Sequence, residues 1–131
     1  MRYTIELEIP ALQSCLHAVL ACVTRLCRTS VGSEDPAFQQ AVLAACSNAI
    51  RQSYGGDNAS ACLELCFYVS DNELAVDLVD YGRPCALSEQ GNAPLGLIFS
   101  AADADEVRYE RVGDHNLLHL MRRGPRRLGA A

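Results

Sequence analysis

The sequence lacks any apolar stretch that approaches the roughly 20 residues needed to cross a membrane, so we expect no membrane-spanning segment and no membrane partner. Its first six residues alternate and include an acid, unlike the basic and then apolar start of a secretory signal. Internal repeats are absent as well. With 131 residues, the chain is long enough for one domain with a substantial core.

Cysteine pairs at C-x-x-C spacing are also absent, and the three histidines do not stand at zinc-site spacings from a cysteine. The seven cysteines are an odd number, and most lie in apolar segments. We interpret them as reduced, small core residues of a cytoplasmic protein, with metal binding as the minor alternative. The net charge of −5 argues weakly against a nucleic-acid partner.

What the sequence does contain is a series of clear hydrophobic periods. Residues 2–9 alternate like a half-buried strand near a sheet edge, and Pro10 is expected to open a helix that runs to about Arg28. Asp35 and Pro36 suit the N-cap and first residue of a second helix, which would end near residue 54. The other predicted elements are strands at 62–69 and 74–80, a loop at 81–94, a short helix at 95–104 and a closing hairpin at 107–112 and 116–122.

This order of elements predicts an α+β two-layer sandwich, with a mixed, mostly antiparallel sheet and helices on one face. The domain is expected to span residues 1–122. Residues 123–131 are basic and rich in glycine and proline, and are expected to form a solvated, partly disordered tail.

Two polar residues need an explanation in this layout. Asp80 ends the apolar row of its strand, so its carboxylate would point towards the buried layer and need a donor there; it could equally cap the following loop. Asn48 lies among small residues in the middle of the second helix, where asparagine is a poor helix former. It is either a solvent-facing residue, on one face with Ala44 and Arg51, or a ligand.

Four short motifs carry a resemblance that spans nearly the whole chain. The helix segment AACSNAIRQSY at 44–54 is similar to E-A-x-x-N-A-I-R-H-A-Y, and Asp80, Gly82 and Pro84 match D-x-G-x-[GP]. Residues 95–97 match part of G-L-G-L-x-L, and residues 105–109 match D-E-V-x-Y. In this order the motifs resemble the GHKL (histidine kinase-like) ATPases, and most closely their bacterial anti-sigma-factor serine kinases. Each motif alone is weak, whereas four in order are moderately specific.

The resemblance implies a Bergerat-type fold that binds ATP and Mg²⁺. Asn48 would hold Mg²⁺ through its side-chain oxygen, and Asp80 would accept a hydrogen bond from the adenine amino group. Gly82 would let the backbone pass close to the base, and Gly96 would open a helix whose N–H groups face the phosphates. Arg51 either reaches a phosphate or is solvated. The residues that the resemblance assigns to this site are Asn48, Arg51, Asp80, Gly82, Leu95, Gly96 and Leu97.

The sequence also departs from the family pattern. Ala44 stands where the family has its general-base glutamate, and alanine cannot take a proton. Gln52 replaces a histidine, and Pro94 replaces a glycine and removes an N–H. The resemblance therefore implies an ATP-binding anti-sigma regulator, a homodimer that switches between a sigma factor and an anti-anti-sigma domain, with reduced or lost kinase activity. The alternative is a pseudo-ATPase, a protein-interaction module that no longer binds nucleotide.

Overall fold

A computed structural model describes residues 2–87, 94, 97 and 99–124 of the chain. This part forms one five-stranded sheet and two α-helices. A single 3₁₀ turn, Gln13–Cys15, precedes the first helix. The elements are β1 (Tyr3–Ala11), α1 (Leu16–Ser30), α2 (Pro36–Ser53), β2 (Asn58–Val69), β3 (Glu73–Asp80), β4 (Glu106–Val112) and β5 (His115–Arg123).

The predicted two-layer α/β sandwich is confirmed. The strands lie in the order β1-β2-β3-β5-β4, with β1 at an edge as expected. Every neighbouring pair is antiparallel, so the expectation of a mixed sheet is wrong for the described residues. One reason is that β1 and β2 are joined through two helices rather than by the single crossover helix of a parallel βαβ unit, so they pair antiparallel.

One face of the sheet is apolar because the strands alternate in register. Leu7, Leu65, Leu78 and Leu118 stand opposite one another across β1, β2, β3 and β5. Helices α1 and α2 cover this face and bury a continuous core with it. Neither described helix is long and apolar enough to cross a membrane.

The predicted start of α2 is confirmed. The carboxylate of Asp35 accepts a hydrogen bond from the Phe38 backbone N–H at 3.2 Å, and Pro36 occupies the first turn. Gln39 reaches back to the Asp35 N–H at 2.7 Å, which completes a reciprocal cap. The Arg122 guanidinium lies 2.8 Å from the same carboxylate and connects this cap to β5.

Pro10 does not open a helix. It pairs with Cys62 inside β1, and α1 begins only at Leu16. A proline is tolerated here because β1 is an edge strand and its outer edge needs no N–H donor. The pairing register shifts between Pro10 and Ala11, where the strand ends.

The short helix predicted at 95–104 is also absent from the described residues of that range, 97 and 99–104, where the backbone makes a turn at 101–103. The Asp103 carboxylate accepts bonds from the Ser100 N–H at 2.8 Å and from its hydroxyl at 3.1 Å. The same hydroxyl accepts a bond from the Ala102 N–H. These side chains offer the backbone an alternative to helical hydrogen bonds, as Ser and Asp commonly do.

The second face of the sheet, which we call the outer face, is polar along β1 and β2. Cys62 and Cys66 lie on it, opposite Pro10 and Glu6. The interpretation of most cysteines as core residues therefore holds for the buried Cys27 and Cys46 and is wrong for these two. Full burial raises the pKa of the Cys46 thiol to about 12, so it stays protonated.

Two acids of the outer face are direct cross-strand neighbours. Glu8 on β1 pairs with Glu64 on β2, and their carboxylates lie within 4.8 Å of each other and of the Cys62 sulfur. Like charges directly opposite in an antiparallel pair destabilise the sheet.

We therefore expect Glu8→Gln to raise the free energy of unfolding by about 0.2–1 kcal/mol. Urea unfolding in low salt with EDTA measures it, and 1 M salt should shrink the difference because it screens exposed charges. Glu6→Gln is the matched control, since Glu6 lies opposite the neutral Cys66. Equal effects of the two substitutions would contradict the cross-strand repulsion.

Candidate functional site

Asn48 lies on the sheet-facing side of α2, between Ala45 and Ala49, and is 1% exposed. Ala44 and Arg51, which were expected on the same face, are exposed instead. Asn48 is thus not a solvent-facing residue. Its Oδ1 atom has no hydrogen-bond partner among the described residues, although it is fully buried. An acceptor in this position is costly to bury and is the kind of group that binds a water or a ligand.

Asp80 ends β3 beneath α2 and is 3% exposed, so its predicted inward direction is confirmed. Three protein groups donate to its carboxylate. The Ser53 hydroxyl donates to Oδ2 at 3.0 Å, while the Gly82 N–H at 3.0 Å and the Asn116 amide at 2.8 Å donate to Oδ1. The donor that the sequence required is therefore supplied from within the protein.

Asn116, which the sequence analysis did not single out, is the centre of this polar cluster. Its Nδ2 donates to Asp80 Oδ1 and to the Arg83 carbonyl, both at 2.8 Å, and its Oδ1 accepts from the Tyr109 hydroxyl at 2.5 Å. Burial raises the pKa of Tyr109, which keeps the proton on its hydroxyl. A signal was present in the sequence, since Asn116 falls in phase with the buried Leu118 and Leu120 of β5.

Gly82 brings the loop after β3 against the end of α2. A Cβ atom on it would lie 2.4 Å from the Ser53 carbonyl oxygen and 2.7 Å from the Ser53 Cβ. This close contact lets the next residue, Arg83, bond to the end of α2. Its N–H donates to the Ser53 carbonyl at 3.0 Å, and its Nε donates to the Gln52 carbonyl at 2.6 Å. In this structure the backbone at Gly82 therefore passes close to a helix end.

The space between Asn48 and Asp80 is a cavity of about 10 Å³, which is room for about one water molecule. Asn116 and Tyr109 also line it, and Pro94 and Leu97 cover it with apolar atoms. Leu97 is buried, while Leu95 and Gly96 lie outside the described residues.

Ala44 and Arg51 do not line this cavity. Ala44 lines a separate, open groove between α1 and α2. Arg51 is exposed, and its guanidinium donates to the Ser47 hydroxyl at 3.3 Å. The structure therefore brings Asn48, Asp80 and Leu97 together and leaves Ala44 and Arg51 apart from them.

Similar architecture occurs in the crystal structure of the RsbU and RsbW domains of Rv1364c from Mycobacterium tuberculosis, with a TM-score of 0.59. Sequence identity is 16%, and the match covers 95% of this chain. It covers 33% of that chain, so the present chain spans about a third of its length. No protein-family model matches the sequence, and no curated protein matches it. At this identity the likeness concerns the fold.

The residues of the site do not fit a bound ATP as they stand. The described residues leave a cavity of about 10 Å³, which is smaller than a purine ring, and the donors on Asp80 already include the Asn116 amide. The unpartnered Asn48 oxygen does suit a hard cation such as Mg²⁺. However, Asp80 is the sole carboxylate among the described residues that line the cavity, and it is occupied by the three donors.

Gly82→Ala is expected to lower the free energy of unfolding by about 1–3 kcal/mol, because the added Cβ would overlap the Ser53 backbone. Thermal or urea unfolding measures the change. Gly113→Asn is a suitable control, since nothing lies within 4 Å of a Cβ there and asparagine tolerates its φ of 60°. A neutral Gly82→Ala would contradict the close approach of the loop to α2.

Proposed function

We propose that this chain is an anti-sigma-type regulatory module that acts through protein contacts rather than through nucleotide chemistry. It switches between a sigma factor and a small anti-anti-sigma domain. The fold shared with the RsbU and RsbW domains and the four ordered sequence motifs support this class of protein. The observation that carries the proposal is the internal satisfaction of Asp80 beside a cavity of water size.

The state of Asp80 favours the protein-interaction reading for a physical reason. A buried carboxylate that waits for a ligand would be costly without a donor in the ligand-free protein. Here Ser53, Gly82 and Asn116 meet that need, so the Asp80 carboxylate has its donors without a nucleotide. Apolar atoms of Pro94 and Leu97 then close the space above it.

The position of Ala44 supports a loss of phosphotransfer. Alanine can neither accept a proton nor orient a hydroxyl, and this residue lies on the exposed side of α2 in a groove that does not include Asn48 or Asp80. In this proposal kinase activity is absent, and regulation depends on which partner occupies the module.

The partner proposal is tested with purified sigma factors and anti-anti-sigma domains from the same genome. We expect one sigma factor to bind the chain and one anti-anti-sigma domain to displace it, as followed by titration calorimetry and gel filtration. Adding Mg-ATP should change neither affinity, because the site is filled by protein groups. An unrelated sigma factor is the negative control. Absence of any such competition across the set would contradict the proposal.

A second candidate, a regulator that binds Mg-ATP, is favoured by one observation, the buried and unpartnered Asn48 oxygen. The two candidates differ in a titration with about 1 mM Mg-ATP. The leading proposal expects no heat of binding to the wild-type chain. Binding that Asn48→Ala weakens and Asp80→Asn abolishes would instead favour the second candidate. Light scattering in the same buffer tests the homodimer that both candidates include.

A further inference from the structure

We propose that the side chain of Asn116 is an internal ligand of Asp80, and that it decides whether the site can accept an external one. This inference rests on the proposed function in so far as both describe the same closed site. It adds that the Asn116 carboxamide on β5 competes for the Asp80 carboxylate with any planar ligand that bears an amino group.

The hydrogen bonds of Asn116 have the pattern of a bound ligand. Its Nδ2 donates to the Asp80 carboxylate and its Oδ1 accepts from the Tyr109 hydroxyl, so one planar group presents a neighbouring donor and acceptor to the site. Adenine offers the same pair through its amino group and an adjacent ring nitrogen. Nδ2 also donates a hydrogen bond to the Arg83 carbonyl, which holds the loop after β3 against the Asn116 carboxamide. With every polar atom of the carboxamide satisfied, its displacement needs a ligand that replaces these bonds.

The rest of the cavity does not resemble an ordinary core. The Asn48 oxygen is buried and has no partner in the part of the chain that the structure describes, while Asp80 and Asn116 are polar and each at most 3% exposed. A site with a purely structural task would be expected to leave no acceptor unsatisfied. Asp80 has its donor in Asn116, whereas the Asn48 oxygen has none among the described residues. We interpret this pattern as a ligand site that a side chain of the protein partly occupies.

Two of the groups that fill or cover the site can be shortened by substitution. Asn116 holds the Asp80 carboxylate, and Leu97, which is 7% exposed, contributes apolar cover over the same cavity. The variant Asn116→Ala/Leu97→Ala removes both, while Leu97→Ala alone makes space and leaves Asn116 on Asp80. This pair separates the effect of the hydrogen-bonding competitor from the effect of volume.

The test uses adenosine and purine riboside as probes of the full chain. The two nucleosides differ in that purine riboside lacks the 6-amino donor of adenosine and keeps the adjacent ring nitrogen as an acceptor. By titration calorimetry, we expect adenosine to bind Asn116→Ala/Leu97→Ala at least about tenfold more tightly than it binds the wild type. Purine riboside should show no such gain, because it has no donor at this edge of the ring for the Asp80 carboxylate. Adding Asp80→Asn to the variant should remove the gain.

Circular dichroism is used to check that each variant is folded. If the alanine double variant does not fold, Asn116→Ser/Leu97→Val replaces it, and we expect the same result with a smaller gain in adenosine affinity. The proposal is overturned if a folded variant without the carboxamide binds adenosine no better than the wild type. An equal gain for Leu97→Ala alone, or for purine riboside, overturns it too. Failure of the partner competition would contradict the proposed function and leave this result intact, because the nucleoside titration contains no partner.

Discussion

A buried carboxylate is the constraint on which this structure depends. Asp80 ends the central strand β3 beneath α2, where an unsatisfied negative charge would be far too costly to bury. The three groups that satisfy it come from the end of α2, from the loop after β3 and from the start of β5. One side chain therefore holds three parts of the fold together, and the loop conformation, the close approach at Gly82 and the closed cavity follow from that requirement.

The same constraint bears on why the site looks like a ligand site although its described residues leave room for only about one water molecule. Ligand sites keep a few polar groups placed within an apolar lining, and a ligand completes their hydrogen bonds. Here Asn116 completes those of Asp80, whereas Asn48 keeps an oxygen without a partner among the described residues. In the function that we propose, such a fold is retained because a partner recognises its folded surface.

Much of the fold could be predicted because the deciding information is local. The alternation in β1 and β3, the cap at Asp35 and the inward direction of Asp80 each depend on a few neighbouring residues. The errors have two causes, tertiary pairing at Pro10 and local side-chain hydrogen bonds at Ser100 and Asp103. Pro10 suits a helix start but is held in β1 by its pairing with Cys62. In the region predicted as a helix at 95–104, the side chains of Ser100 and Asp103 bond the backbone in a turn.

By itself, the sequence determined the two-layer sandwich, the edge position of β1 and the need of Asp80 for a donor, because periodicity and the cost of burying charge act residue by residue. Only the tertiary structure decided which donor that is. Asn116 lies 36 residues from Asp80 along the chain, so no local pattern connects them. The antiparallel order β3-β5 brings the end of one strand beside the start of the other. Because of that pairing, the Asp80 carboxylate, which the family resemblance implied would bind a ligand, instead accepts a hydrogen bond from the Asn116 carboxamide.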